Sequence, residues 1–95
     1  MTHERALLDD LMGRIDSLAR AEGAERVVRI SVRLGALSHF TPEHFREHFE
    51  WAAEGTIAEG ATVEAEIDPE LAGEAAQGVL LEDVELAVGE PGVSG

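Results

Sequence analysis

The residues whose types and spacing best suit chemistry stand at the amino terminus, Met1-Thr2-His3-Glu4. A free terminal amine, one or two deprotonated backbone amides and a nearby imidazole can lie in one plane, and such a square-planar nitrogen set suits Ni(II) or Cu(II). With Met1 retained, His3 is the third residue of the chain. With Met1 removed, Thr2 supplies the amine and His3 becomes the second residue. Either form can chelate a metal, so the pattern predicts a candidate metal site, with a solvated histidine as the alternative.

A second pattern, residues 44–48, spells H-x-x-E-H. In large zinc peptidases this string places two histidines on one helix face beside a glutamate base. A catalytic zinc also needs a third protein ligand and a cleft for the substrate. Because the neighbouring phenylalanines are expected to face the core, His44, Glu47 and His48 are predicted to face solvent. We therefore interpret the string as a polar helix face and do not predict an enzyme.

His39 stands in a predicted loop before the second helix. In the expected fold this loop could approach the start of the first helix. His39 is therefore a further candidate ligand for a metal at His3, and an ordinary loop residue is the alternative.

Composition narrows the classes of partner. The chain has 95 residues, with 20 acidic and 7 basic side chains, and its formal net charge is −13. Such a surface argues against nucleic acid and against an anionic membrane, which both need basic side chains. The absence of cysteine excludes disulfides and thiolate metal sites. No signal peptide or membrane-length apolar run is visible, so we predict a cytoplasmic protein.

Hydrophobic periodicity divides the chain into five elements. Residues 2–22 follow the helical spacing, with Leu18 in the apolar stripe, and residues 25–34 alternate as a strand with Val28 on its buried face. Thr41 is predicted to cap a second helix that begins at Pro42 and ends before Gly55. Phe40 is predicted to pack on Phe45 across that helix start. Residues 61–67 and 79–88 are two further strands, joined by an acidic connector.

These elements predict an α+β fold in the order α-β-α-β-β. The second helix is a crossover, so the first two strands should be parallel, and the last two should pair antiparallel. Two helices would cover one face of a three-stranded mixed sheet. Arg29 and Arg33 would then face the acidic side chains of the second strand, Glu64 and Glu66. One domain is expected over residues 1–88, followed by a disordered tail, residues 89–95.

Several segments carry a family likeness. They are ERVVRISVRLGALS (25–38), TPEHFREHFEWAAEGTIAEGATVEAEI (41–67) and GVLLEDVELAV (78–88), together with the amino-terminal histidine and glutamate. In this order they resemble the HypA/HybF family, nickel chaperones of NiFe hydrogenase maturation. The resemblance implies that Ni(II) binds at the amino terminus, with His3 as the imidazole ligand and Glu4 beside it. It also implies docking onto a maturation GTPase of the HypB type and delivery of nickel to the hydrogenase large subunit.

Two departures from the family pattern bear on function. Family members carry a zinc domain with two C-x-x-C pairs between the last two strands, and here the connector, residues 69–77, stands in its place. We therefore predict no structural zinc. In addition, Thr2 precedes the histidine, so the family spacing returns only if Met1 is removed. A metal-free interaction module that keeps the fold and docks on maturation partners is the alternative function.

Overall fold

The computed structural model describes residues 3–88, with side chains from Arg5 onward. Its elements are α1 (His3–Ala21), β1 (Ala24–Gly35), α2 (Pro42–Ala53), β2 (Thr62–Asp68), a 3-10 helix (Gly73–Gln77) and β3 (Val79–Val88). This order confirms the predicted α+β fold, with one short helical turn added in the connector. The predicted tail, residues 89–95, lies outside the described residues. No helix in the described part of the chain is long and apolar enough to cross a membrane.

The sheet has the order β2-β1-β3, so β1 is the central strand. It pairs in parallel with β2, as predicted, and antiparallel with β3. The predicted pairing of β2 with β3 is wrong, because the connector crosses the carboxyl end of β1 and places β3 on its far side. The backbone N–H groups of Gly35 and Leu37 donate to the carbonyls of Gly78 and Ala76 at 3.0 and 2.7 Å. The most buried strand of the sheet thereby has hydrogen-bonding partners on both edges.

A single core fills the space between the helices and one face of the sheet. From β1, this face carries Ile30, Val32 and Leu34, none of which is more than 1% exposed. Val27 is also buried, whereas Val28, predicted to face inward, is only half-buried. The reason is an irregularity in the β1–β3 register between Val27 and Arg29, which shifts the alternation by one residue.

The helices contribute the rest of the core. The fully or nearly buried helical side chains are Leu8, Leu11, Ile15, Ala19, Phe45, Phe49 and Ala53. Leu18, predicted to be buried, is 44% exposed because it lies at the margin of the helix face whose centre, at Ile15 and Ala19, is buried. The start of α2 is as predicted: the Thr41 hydroxyl accepts the His44 N–H at 3.0 Å, and Phe40 packs edge-on against Phe45 at 5.4 Å between centroids.

The opposite face of the sheet is polar and carries two arginines of β1. Arg29 Nη1 lies 2.8 Å from Glu64, and Arg33 Nη1 lies 3.9 Å from Glu66, so both predicted cross-strand pairs form. Strand β3 adds Asp83 beside Arg29 at 3.5 Å, and Arg29 and Arg33 also donate hydrogen bonds to Glu85 and Glu82 of this strand. These hydrogen bonds are the main reason that the pKa of each guanidinium is raised above its ordinary value.

Candidate metal centre

The predicted metal site begins where α1 begins, because His3 is the first residue of that helix. The first four N–H groups of a helix have no intrahelical acceptor, so a metal can take the amide nitrogen of His3 without breaking a helical hydrogen bond. Leu8 and Leu11, buried one and two turns further on, fix this end of α1 to the core. Met1, Thr2 and the side chains of His3 and Glu4 lie outside the described residues, so the ligand set at the terminus stays a prediction.

His39 occupies the loop between β1 and α2 in the left-handed region, with φ 69°. Its neighbours hold the loop in place: Ser38 is buried, and its hydroxyl accepts the N–H of Phe40 at 3.3 Å. The imidazole of His39 itself is exposed. Within the described part of the chain no hydrogen bond or ion pair joins it to another side chain. Its role as an additional nickel ligand therefore stays a prediction.

The two histidines of α2 form a contact that the sequence interpretation missed. Nε2 of His44 and Nε2 of His48 lie 2.7 Å apart, and the ring centroids lie 4.3 Å apart. Both side chains are half-buried, whereas Glu47, between them in sequence, is exposed. The expectation that all three would face solvent is therefore wrong for the two histidines.

Aromatic rings at helical spacing account for this partial burial. Phe40 lies 5.9 Å from the His44 ring, and Trp51 lies 5.3 Å from the His48 ring, centroid to centroid. The spacing of His44 and His48 indicated a shared helix face, but the packing of Trp51 on that face could not be read from periodicity. Among the described residues, no group of three or more histidine, aspartate or glutamate side chains is arranged to hold a metal ion.

The connector between β2 and β3 is packed against β1 rather than looped into solvent. A Cβ placed on Gly35 would overlap the backbone of Ala75 and Ala76, so only glycine fits where the 3-10 helix crosses the strand end. A Cβ placed on Gly78, just after this helix, would meet only ordinary van der Waals contacts. The connector therefore packs against the end of β1 and against β3.

The sequence was compared with protein-family models and with known proteins, and it matches one family over most of its length. The family model described as hydrogenase/urease nickel incorporation metallochaperone, HypA, matches residues 1–73. The hydrogenase maturation factor HypA of Chlorobium limicola is 39% identical over 64 residues, which cover 67% of this chain and 55% of that protein. The HypA of Methanopyrus kandleri is 38% identical over 66 residues, covering 70% and 46%. The chain thus spans about half the length of the curated relatives it matches.

A solved structure shares the fold. The solution structure of the nickel metallochaperone HypA from Helicobacter pylori aligns with a TM-score of 0.74 at 14% identity. The alignment covers 93% of this chain and 100% of that one. At this identity the likeness supports the fold alone.

Proposed function

Because the chain belongs to the HypA family of nickel-incorporation metallochaperones, we propose that it binds Ni(II) at its amino terminus and assists nickel insertion during NiFe hydrogenase maturation. The observation that carries this proposal is the extent of the family match, which begins at residue 1 and includes His3 and Glu4. Nickel is the cargo of such a protein. The proposed role is therefore carriage and transfer of an ion, with no catalytic step.

The donor chemistry of the terminus fits this cargo. With Met1 present, the terminal amine, the amide nitrogens of Thr2 and His3 and the His3 imidazole supply four nitrogen donors in one plane. With Met1 removed, the Thr2 amine, the His3 amide and the imidazole supply three, and a fourth position remains for Glu4 or another ligand. Amide deprotonation places negative charge at the positive end of α1, where it is stabilised.

An ion carried for transfer has to be released to a partner. By the family resemblance, we propose that the partners are a maturation GTPase of the HypB type and the hydrogenase large subunit, in the cytoplasm. The net charge of −13 favours a partner surface that is basic.

The first experiment is a calorimetric titration of Ni(II) into the untagged protein, whose terminal residue is first identified by mass spectrometry. The His3→Ala variant is compared with the wild type and with His39→Ala, which tests whether the exposed His39 is an additional ligand. Because His3 supplies the imidazole and anchors the chelate ring, we expect His3→Ala to weaken binding at least about hundredfold. Weaker binding by His39→Ala would identify His39 as an additional ligand, and unchanged binding would exclude it from the site.

Two results would reject nickel carriage at the terminus. One is equally weak binding by the wild type and His3→Ala, which would favour the metal-free interaction module. The other is tight binding that survives His3→Ala unchanged, which would place the nickel elsewhere in the chain.

A further inference from the structure

We infer that the His44–His48 pair of α2 is a second transition-metal site, which binds a divalent ion such as Ni(II) or Zn(II) through the two imidazole Nε2 atoms. Imidazole is a ligand that both ions accept. The inference stands on the geometry of α2 and does not require that the amino terminus binds nickel.

The separation of the two nitrogen atoms is close to that of a chelate. With metal–nitrogen bonds of about 2.0–2.1 Å, two cis ligands of a square-planar or octahedral ion are about 2.9 Å apart, and two tetrahedral ligands about 3.4 Å apart. The Nε2 atoms of His44 and His48 are 2.7 Å apart. Small rotations of the rings, a few tenths of an ångström at the nitrogens, would therefore admit an ion between them.

The hydrogen bond between His44 and His48 also indicates which two atoms would bind the ion. At 2.7 Å one Nε2 must donate a proton and the other must accept it, so both nitrogen atoms are directed at the same point. When a metal ion binds, the shared proton leaves Nε2 and the donor ring takes up a proton on Nδ1 from solvent, so that both rings stay neutral and each Nε2 gives a lone pair to the ion. Histidines four residues apart on a helix are natural neighbours, so the backbone needs no change.

The site is held in place by packing on both sides. Phe45 and Phe49 alternate with the histidines along α2 and are 0% and 1% exposed, so the helix cannot rotate about its axis. Phe40 and Trp51 flank the imidazoles at 5.9 and 5.3 Å. Rings restricted in this way lose little conformational entropy when they bind an ion.

The acidic surroundings of the His44–His48 pair favour the binding of a cation. The helix carries exposed carboxylates at Glu43, Glu47 and Glu50, and the chain as a whole is strongly acidic. Such a field raises the local concentration of cations near the pair. Two protein ligands leave the remaining coordination positions to water, so we expect weaker binding than at a four-nitrogen chelate.

The chain contains its own reporter for this site. Trp51 is the one tryptophan, there is no tyrosine, and the indole ring lies 5.3 Å from the His48 ring. Ni(II) bound by the pair should quench indole fluorescence. The experiment titrates Ni(II) into the 95-residue His3→Ala protein, which lacks the terminal imidazole, and records the fluorescence of Trp51. The same titration is then made with His48→Gln and with His39→Ala added to that background.

In the His3→Ala background we expect saturable quenching, which excess Zn(II) reverses by displacing Ni(II). The added His48→Gln should weaken the association at least about tenfold, because one of two ligands is lost. The added His39→Ala should leave it unchanged. Circular dichroism checks that each variant is folded, and His44→Gln replaces His48→Gln if the latter is not.

The inference is overturned if the His3→Ala protein shows no saturable quenching, or if the glutamine variant binds as well as its parent. Neither result bears on nickel at the terminus, which is tested by comparing the wild type with His3→Ala in the calorimetric titration.

Discussion

Arg29 contacts carboxylates on both strands that flank β1. Its guanidinium reaches Glu64 of β2 at 2.8 Å, and Glu85 and Asp83 of β3 at 3.2 and 3.5 Å. One side chain therefore offsets the mutual repulsion of three acidic side chains that the sheet brings together. Each exposed pair alone is weak, but the loss of Arg29 would leave all three carboxylates without this cation.

Arg29→Ala is therefore expected to be destabilising, with a decrease of about three- to fivefold in the folding equilibrium constant. Arg14→Ala is the matched control, because Arg14 pairs with a single carboxylate, Asp10, on the exposed side of α1. Urea denaturation of both variants measures the difference. An Arg29 variant no less stable than the Arg14 variant would show that the sheet face is held by other contacts.

At the scale of single residues, the sequence predicted the contacts that follow from helix capping or from the pairing of neighbouring strands. The Thr41 cap, the contact of Phe40 with Phe45 and the pairing of Arg29 with Glu64 are confirmed. The partial burial of His48 was not predictable, because it depends on how Trp51 packs. The ligands at residues 1–4 stay a prediction.

At the scale of the elements, the connector is a packed part of the fold. Its 3-10 helix lies against Gly35, with no room for a side chain there, and its carbonyl groups accept hydrogen bonds from the end of β1. This crossing holds β3 beside β1. Sequence periodicity predicted both strands, but it does not identify the neighbour of a strand, so the pairing of β2 with β3 was wrong.

Two glycine substitutions should have opposite effects. Gly35→Ala is expected to destabilise the protein by about 1–3 kcal/mol, because its methyl group would overlap the connector backbone. Gly13→Ala, on the exposed side of α1 with no atom within 4 Å, should stabilise it by up to about 1 kcal/mol through helix propensity. Chemical denaturation reports both values. A neutral Gly35→Ala would contradict the close crossing of the connector over β1.

At the scale of the whole molecule, the large net negative charge opposes folding into a compact state. A net charge of −13 on 95 residues makes the folded chain repel itself, and the arginine pairs offset only part of this. Salt weakens both the repulsion and the pairs, but the acidic side chains far outnumber the basic ones, so relief of repulsion should dominate.

Raising sodium chloride from about 20 to 500 mM is therefore expected to raise the melting temperature by about 3 °C. A thermal scan followed by circular dichroism measures the change. A melting temperature that falls with salt would mean that the ion pairs of the sheet outweigh the repulsion.

The central position of β1 also governs how quickly the sheet can form. The residues that it joins are far apart in the chain, 35 positions for Arg29 and Glu64 and 56 for Arg29 and Glu85. Neither of the two strand pairs in the described part of the chain is a local hairpin, so every pairing in the sheet closes a long loop, and such contacts slow folding. The helices can form early, but β1 gains its second neighbour only after residues 79–88 have left the ribosome. During synthesis the central strand therefore exposes an unpaired edge until almost the whole described chain has been made.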